Sequence, residues 1–334
     1  MSFKQEFKIN NLLLDSNILF APLAEYTDFA FRRFIRHYHK GLMFCEMIKM
    51  EALIREKSYK ILKYTKDMSP IGAQLCGSDS RIVSDAAKIV EDLGFQIIDL
   101  NCGCPVPKVV KDGSGAAMLK TPLLISQMLS LMTKAVKIPV TVKIRLGWDE
   151  NSICAKEIVK IAEEAGCSAI TIHGRTKKQG YSGKSDWNYI KECKEQAKKI
   201  LVFGNGDVYS PKDADEMFKL TNCDGIMVAR GFLYNPNISN EIERYFLNNA
   251  GESGFDKKNS ILRYIDYIIE EKGSEKAIFD VRRICGWLLK EVRDIKQLRI
   301  HINKSDNIEE VRSLINSFDW DGNHERENLS QNNI

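Results

Sequence analysis

The chain has 334 residues, 44% of them hydrophobic and 28% charged, with a formal net charge of +4. This composition excludes wholesale disorder, and so small a net charge does not by itself point to a nucleic-acid partner; only local clustering of basic residues can. Nine cysteines, scattered without the spacing of a zinc ribbon or a disulfide framework, fit a reduced, cytoplasmic protein with no metal. The N-terminal residues lack an apolar signal core, and no run approaches the roughly 18 apolar residues that span a bilayer, so no membrane association is expected.

Short apolar runs alternate with longer amphipathic ones from residue 18 to about residue 230. Strands are predicted at 18–23, 42–47, 70–75, 96–100, 140–146, 169–173, 200–204 and 225–229. Helical periodicity falls between them at 81–93, 123–136, 155–165 and 211–220. Ser210-Pro211 and Thr121-Pro122 each set a capping residue before a proline suited to the first helical position. Gly94 and Gly166 stand where a glycine would end a helix. Eight strand–helix units of this length predict an α/β fold, a (β/α)8 TIM barrel. An open doubly wound sheet is the alternative, but no Gly-x-Gly-x-x-Gly follows the first strand. Beyond residue 240 only helical patterns follow, at 241–249, 260–272, 275–290 and 308–318. The expected division is a barrel over 1–245, a small helical domain over 246–320 and a frayed polar tail over 321–334.

The most informative stretch is Asp99-Leu100-Asn101-Cys102-Gly103-Cys104-Pro105. An apolar strand opens there into a loop carrying an amide and a thiol, at the end of a barrel strand where chemistry sits. The two cysteines are too close for a Cys-x-x-Cys metal or redox pattern, so a catalytic one would work alone, as an acid or a nucleophile. Cys102 is expected to pack beneath the loop.

Other strand ends also carry polar groups. Gln74 ends the third strand, and Lys143 and Arg145 share one face of the fifth. His173 ends the sixth, Asn205-Gly206-Asp207 the seventh and Ala229-Arg230 the eighth. A lysine inside a barrel is costly unless an anion or an acceptor meets it. Glycine-bearing turns after the last two strands suit a phosphate, which backbone N–H groups can cradle. A phosphate there, with Lys143, Gln74 and His173 around a flat pocket, describes an FMN site, Lys143 lying near the N1–C2=O edge of the ring. Residues 281–304 carry seven basic and two acidic side chains, a local charge larger than that of the whole chain. On a helical stretch this reads equally as a phosphate-contacting face or a solvated one.

Several motifs run in order over residues 18–235: Ala21-Pro22-Leu23-Ala24, the Asp99–Lys108 stretch, Gly113-Ser114-Gly115-Ala116, Lys143-Ile144-Arg145, His173-Gly174-Arg175-Thr176 and Gly204-Asn205-Gly206-Asp207. Together they resemble the tRNA-dihydrouridine synthases, and most nearly the bacterial B branch. The resemblance implies an FMN enzyme that reduces uridine in tRNA to 5,6-dihydrouridine with NADPH, hydride passing from flavin N5 to C6 and a proton from Cys104 to C5. It implies that Pro22, Leu23 and Ala24 line the flavin, that Gln74 and Lys143 bond its ring edge and that His173 lies near it. Asn205, Gly206, Asp207, Ala229 and Arg230 would hold the ribityl phosphate. Asn101 and Arg145 would orient the uracil, and Lys108, Arg282, Arg283, Arg293 and Arg299 would meet the tRNA, bound by a monomer. A thiol of ordinary pKa, about 8.5, is protonated at neutral pH and can serve as an acid.

The chain departs from the family pattern at four places; at the first, Leu23 stands where methionine is usual, and both are apolar and should serve. Ala229 stands where glycine is usual and would be strained if φ were positive there. Ile284 replaces a frequent histidine, and Glu25-Tyr26 a smaller pair. Two competing readings are a dihydroorotate-dehydrogenase-like flavoprotein acting on a free pyrimidine, which would not need the basic helical segment, and a tRNA-binding protein whose flavin is structural.

Overall fold

The computed structural model describes residues 2–55, 59–248, 255–290, 292 and 295–320. A short antiparallel hairpin, β1 (Phe7–Ile9) and β2 (Leu12–Leu14), precedes the barrel. Its strands are β3 (Ile18–Phe20), β4 (Met43–Lys49), β5 (Ile71–Cys76), β6 (Ile97–Cys102), β7 (Val140–Arg145), β8 (Ala169–His173), β9 (Leu201–Asn205) and β10 (Gly225–Val228). All eight pair in parallel, and β10 closes on β3. The TIM barrel expected from the alternating pattern is the fold observed; the predicted strands recur with ends displaced by three residues at most.

Side chains alternate between the barrel interior and the surrounding helices, as the two-residue period of a strand requires. Along β6, Ile98, Leu100 and Cys102 face outward and join the core shared with the helices. Ile97, Asp99 and Asn101 face the other way. The interior changes character along its axis. Its floor is apolar, where Leu19, Phe44, Ile97, Ala169, Phe203 and Met227 cluster with Phe7, Ile9 and Leu14 of the hairpin. The Phe7 and Phe203 rings meet edge-on at 5.7 Å. The hairpin thus stoppers the barrel bottom, a role invisible in the charged N-terminal sequence. Two residues further up the same strands, Asp99, Thr141 and Thr171 begin a polar layer that continues through Asn101, Lys143, His173 and Asn205.

The local signals are mostly realised. Ser210 makes a full capping box with Asp213 at the start of helix Pro211–Thr221, and Gly94 and Gly166 take φ of 84° and 85° after their helices. Thr121 precedes helix Pro122–Ala135 without capping it; its hydroxyl donates instead to the Met118 carbonyl at 3.3 Å. Helices Lys257–Lys272, Ser274–Leu288, Lys296–Lys304 and Ile308–Ser317 pack together at the C-terminal end. They rest on helix Phe29–Arg36 of the barrel, where Lys272 bridges Asp28 and Asp280, both at 2.7 Å. The expected tail over 321–334 lies outside the described residues. Among the described residues no helix is long and apolar enough to cross a membrane.

Candidate active site

The C-terminal ends of the strands open onto a cleft of about 450 Å³, a size ordinary for small-molecule sites (about 300–1,000 Å³). Pro22, Leu23 and Ala24 line it after β3, Gln74 on β5, Asn101 and Cys104 around the end of β6, and Lys143 and Arg145 on β7. His173 lines it from β8, Asn205, Gly206 and Asp207 from the end of β9, and Ala229 and Arg230 from beyond β10. Every residue that the sequence nominated for the cofactor and the thiol chemistry therefore faces one space.

One wall is built of amides. The Asn101 carbonyl oxygen accepts from the backbone N–H groups of Gly103 and Cys104, at 3.1 and 2.9 Å, and so folds the chain into the thiol loop. Its amino group donates to the Gln74 Oε1 at 2.8 Å. Arg145 donates through Nε to the Gly103 carbonyl at 2.9 Å and through Nη1 to the carbonyls of Thr176 and Gly180, at 2.9 and 2.8 Å. Asn101 and Arg145, nominated to orient a substrate, are therefore engaged in holding the loops around it. Gly115 backs the loop at φ 60°: a Cβ there would lie 2.7 Å from the Cys104 carbonyl, which accepts from Ala116 N at 3.0 Å. Burial pushes the Cys104 thiol above its ordinary pKa, opposed by a backbone hydrogen bond from Val106 and by the charges of Arg145, Lys143 and Lys49. The thiol is thus protonated at neutral pH, the form an acid needs and a nucleophile does not. Cys102 is fully buried, its thiol against Met118, as packing beneath the loop requires.

The opposite wall is cationic. Lys143 Nζ donates to Asn205 Oδ1 at 3.1 Å. Burial, reinforced by Arg145, lowers its pKa to about 8. His173 is held neutral by its burial and by Arg145, Lys143, Arg175 and Arg230 around it. Asp207 accepts from both Nη atoms of Arg175, at 2.9 and 2.7 Å, from Arg230 at 3.2 Å and from the Ser185 N–H at 2.7 Å. A carboxylate cannot itself receive a phosphate; it orients the arginines that can. Gly206 takes φ 113°, and a Cβ there would meet Ser185 Oγ at 2.4 Å and His173 Cδ2 at 2.9 Å. The Ser185 hydroxyl beside it is buried without a hydrogen-bond partner among the described residues. The apolar Pro22–Ala24 segment, the side-chain donors of Gln74 and Lys143 and a glycine turn flanked by arginines suit a planar ligand with an anionic tail.

Ala229 has φ −115°, so this position does not take the left-handed backbone that would favour the glycine usual in the resemblance. Glu25 does take a left-handed φ, 70°. Tyr26 beside it lines the cleft together with Trp287, whose indole N–H donates to the Tyr26 hydroxyl at 3.3 Å. Trp287 lies on helix Ser274–Leu288, so the C-terminal helices complete the wall of the cleft. Tyr181 also lines it, 56% exposed, with Arg230 over its ring at 4.6 Å. Sequence reasoning missed these aromatic walls; no local pattern distinguishes a tyrosine on a rim from one in a core.

The chain matches the model of the family described as Dihydrouridine synthase (Dus) over residues 19–319. The chain belongs to the dihydrouridine synthase family. A "Probable tRNA-dihydrouridine synthase" of Rickettsia bellii is 36% identical over 319 residues, covering 93% of this chain and 97% of the relative. The "tRNA-dihydrouridine synthase B" of Pasteurella multocida is 36% identical over 291 residues, covering 86% and 87%. Among solved structures, morphinone reductase superposes with a TM-score of 0.51 at 12% identity, covering 73% of this chain and 88% of that one. That likeness is one of fold.

Of the residues nominated for RNA, those described stand apart from the cleft lining of this dihydrouridine synthase family member. Lys108 is exposed on the short helix Pro107–Val110, just past the thiol loop. Arg282 donates to the Ser305 carbonyl and, at 3.5 Å, to Asp306. Arg283 pairs with Asp280 and lies 5.2 Å over the Tyr26 ring. Arg299 is partly exposed on Lys296–Lys304, and Arg293 lies outside the described residues. Ile284 is fully buried, so this position packs the helical core rather than reaching a substrate.

Proposed function

We propose that the protein reduces the 5,6 double bond of uridine in tRNA to 5,6-dihydrouridine, in the cytoplasm, with FMN as cofactor and NADPH as reductant. The observation that carries this reading is the single cleft in which a protonated thiol faces the Lys143, His173 and Arg230 wall, in a chain of this family. When bound, FMN supplies hydride to C6 of the uracil. The residues fit it: Pro22, Leu23 and Ala24 would lie along the ring, and Gln74 and Lys143 at its polar edge. The turn of Asn205, Gly206 and Asp207, with Ala229, Arg230 and the unpartnered Ser185 hydroxyl, would hold the phosphate.

Cys104 donates the proton that C5 must gain. Lys143 and Arg145, both cationic, favour the anionic charge that develops on the uracil carbonyls. The base must leave its stack to reach the cleft, at a cost of about a few kcal/mol, which backbone contacts by basic residues outside the cleft offset. Mass spectrometry of tRNA from a strain lacking the gene tests the reading. Loss of dihydrouridine at one or more positions is expected; an unchanged nucleoside profile overturns it.

A further inference from the structure

The thiol loop is anchored through a chain of hydrogen bonds that ends on a buried carboxylate. Asp99, 1% exposed, accepts through Oδ1 from the Thr141 hydroxyl at 2.6 Å and through Oδ2 from Gln74 Nε2 at 2.8 Å. Gln74 Oε1 accepts from Asn101 Nδ2 at 2.8 Å, and Asn101 Oδ1 accepts from the backbone N–H groups of Gly103 and Cys104.

We infer that Asp99 is a positioning residue for Cys104, acting by fixing which way the Gln74 and Asn101 amides face. A primary amide fits its space almost equally well in two orientations related by exchange of its oxygen and nitrogen. The far end of the chain is unambiguous, because two backbone N–H groups can only donate; Asn101 must offer them oxygen. Its nitrogen then points at Gln74, which must answer with oxygen and turn its own nitrogen to Asp99. An ionised carboxylate, an acceptor alone, is the terminus that this sequence of donors demands. Burial pushes the Asp99 pKa to about 6, against the pull of Thr141, Gln74 and Lys143, so the carboxylate is ionised at neutral pH. Asp99 is paired in register with Gln74 and stands two residues before Asn101, both of which line the cleft, but does not line it itself. An apolar residue at 99 would leave the Gln74 amino group unpaired, and a Gln74 that turned to find another acceptor would withdraw its oxygen from Asn101 Nδ2 and loosen the amide that holds the loop.

The inference rests on the uridine-reduction reading only for the purpose of the thiol. Its test therefore uses the free protein. The rate of Cys104 alkylation by iodoacetamide, followed on the Cys104 peptide by mass spectrometry, reports how firmly the loop is held. Asp99→Leu should accelerate it about tenfold, the equivalent of one buried hydrogen bond. Asp99→Asn, whose oxygen can still receive Gln74 while its amino group faces the Thr141 hydroxyl, should stay near the wild-type rate. Asn101→Ala should match Asp99→Leu, and the double variant should be no faster than Asn101→Ala alone, since both cut one chain. Multiplying effects in the double variant, or an unchanged rate in Asp99→Leu, overturns the inference. If Asp99→Leu does not fold, Gln74→Leu cuts the middle link and must loosen the thiol equally; a wild-type rate there is equally fatal. Failure of the tRNA assay with success of this one would overturn the reading of function and leave the relay standing.

Discussion

The two walls of the cleft are built by opposite means. Around β5 and β6 the wall is a hydrogen-bonded chain of amides ending on one buried carboxylate, with Arg145 of β7 tying the loop, and it presents a thiol. Around β9 and β10 it is a pair of turns in which Asp207 gathers Arg175 and Arg230 and presents cations. On the proposed reading the first wall fixes geometry, because a proton donor must meet one carbon at a defined angle. The second fixes charge, because an anionic tail needs cations and N–H groups more than a unique contact. The walls should therefore fail differently: damage to the first should lower turnover with the cofactor retained, and damage to the second should loosen the cofactor.

The largest expected effect belongs to the thiol. Cys104→Ala should lower turnover on tRNA by about 10²- to 10⁴-fold, the usual worth of a general acid. FMN affinity, read by fluorescence titration, should not move. A variant that turned over normally would remove Cys104 from the chemistry. Gly206→Ala strikes the other wall. At φ 113° and with only 2.4 Å to Ser185 Oγ, a methyl group there forces the turn to rearrange. Strain of about 1–3 kcal/mol predicts FMN binding weaker by about one to two orders of magnitude. Wild-type affinity in that variant would show that the phosphate is held elsewhere.

The contrast also separates what sequence can and cannot disclose. The eight barrel strands are legible because each is a short apolar run between helical patterns, a signal internal to the segment. The cationic wall is legible because Asn205-Gly206-Asp207 and Ala229-Arg230 are local turns, each contiguous in sequence. The amide chain is not. Thr141, Asp99, Gln74 and Asn101 sit on three strands, and only the barrel register sets Gln74 beside Asp99 and Asn101 beside Lys143. The same holds for Trp287, which reaches the cleft from 261 residues beyond Tyr26, and for the hairpin at residues 7–14, whose apolar positions acquire meaning only against the barrel floor. The resemblance alone assigns Asn101 and Arg145 to substrate contact. The structure engages both in backbone hydrogen bonds, which no spacing announces.

Lys143 belongs to both walls, reaching from β7 to Asn205, and its titration tests the boundary between them. Its folded pKa of about 8 lies below the ordinary 10.5. Between those values the unfolded chain binds a proton that the native protein has released, so stability of the apoprotein should rise with pH across this window. Affinity for FMN should run the other way. As pH rises through about 8 the ammonium loses its charge, and binding should weaken by about tenfold, the worth of one charge-assisted hydrogen bond. Lys143→Met should flatten that profile. A flat profile in the wild type would move Lys143 away from the cofactor.

The smallest effect expected lies outside both walls. Arg282 and Arg299 contribute equally to the basic segment, yet the structure separates them. Arg282 is tied to the Ser305 carbonyl and to Asp306, so it joins helix Ser274–Leu288 to the turn after Lys296–Lys304. Arg299 is partly exposed on the latter helix. Arg282→Ala should therefore lower the melting temperature. Arg299→Ala should leave the melting temperature alone while reducing the slope of log affinity for tRNA against log salt by about one. If Arg299→Ala changes neither quantity, the helix face that carries it is merely solvated, and the RNA must be gripped closer to the thiol, where Lys108 stands exposed.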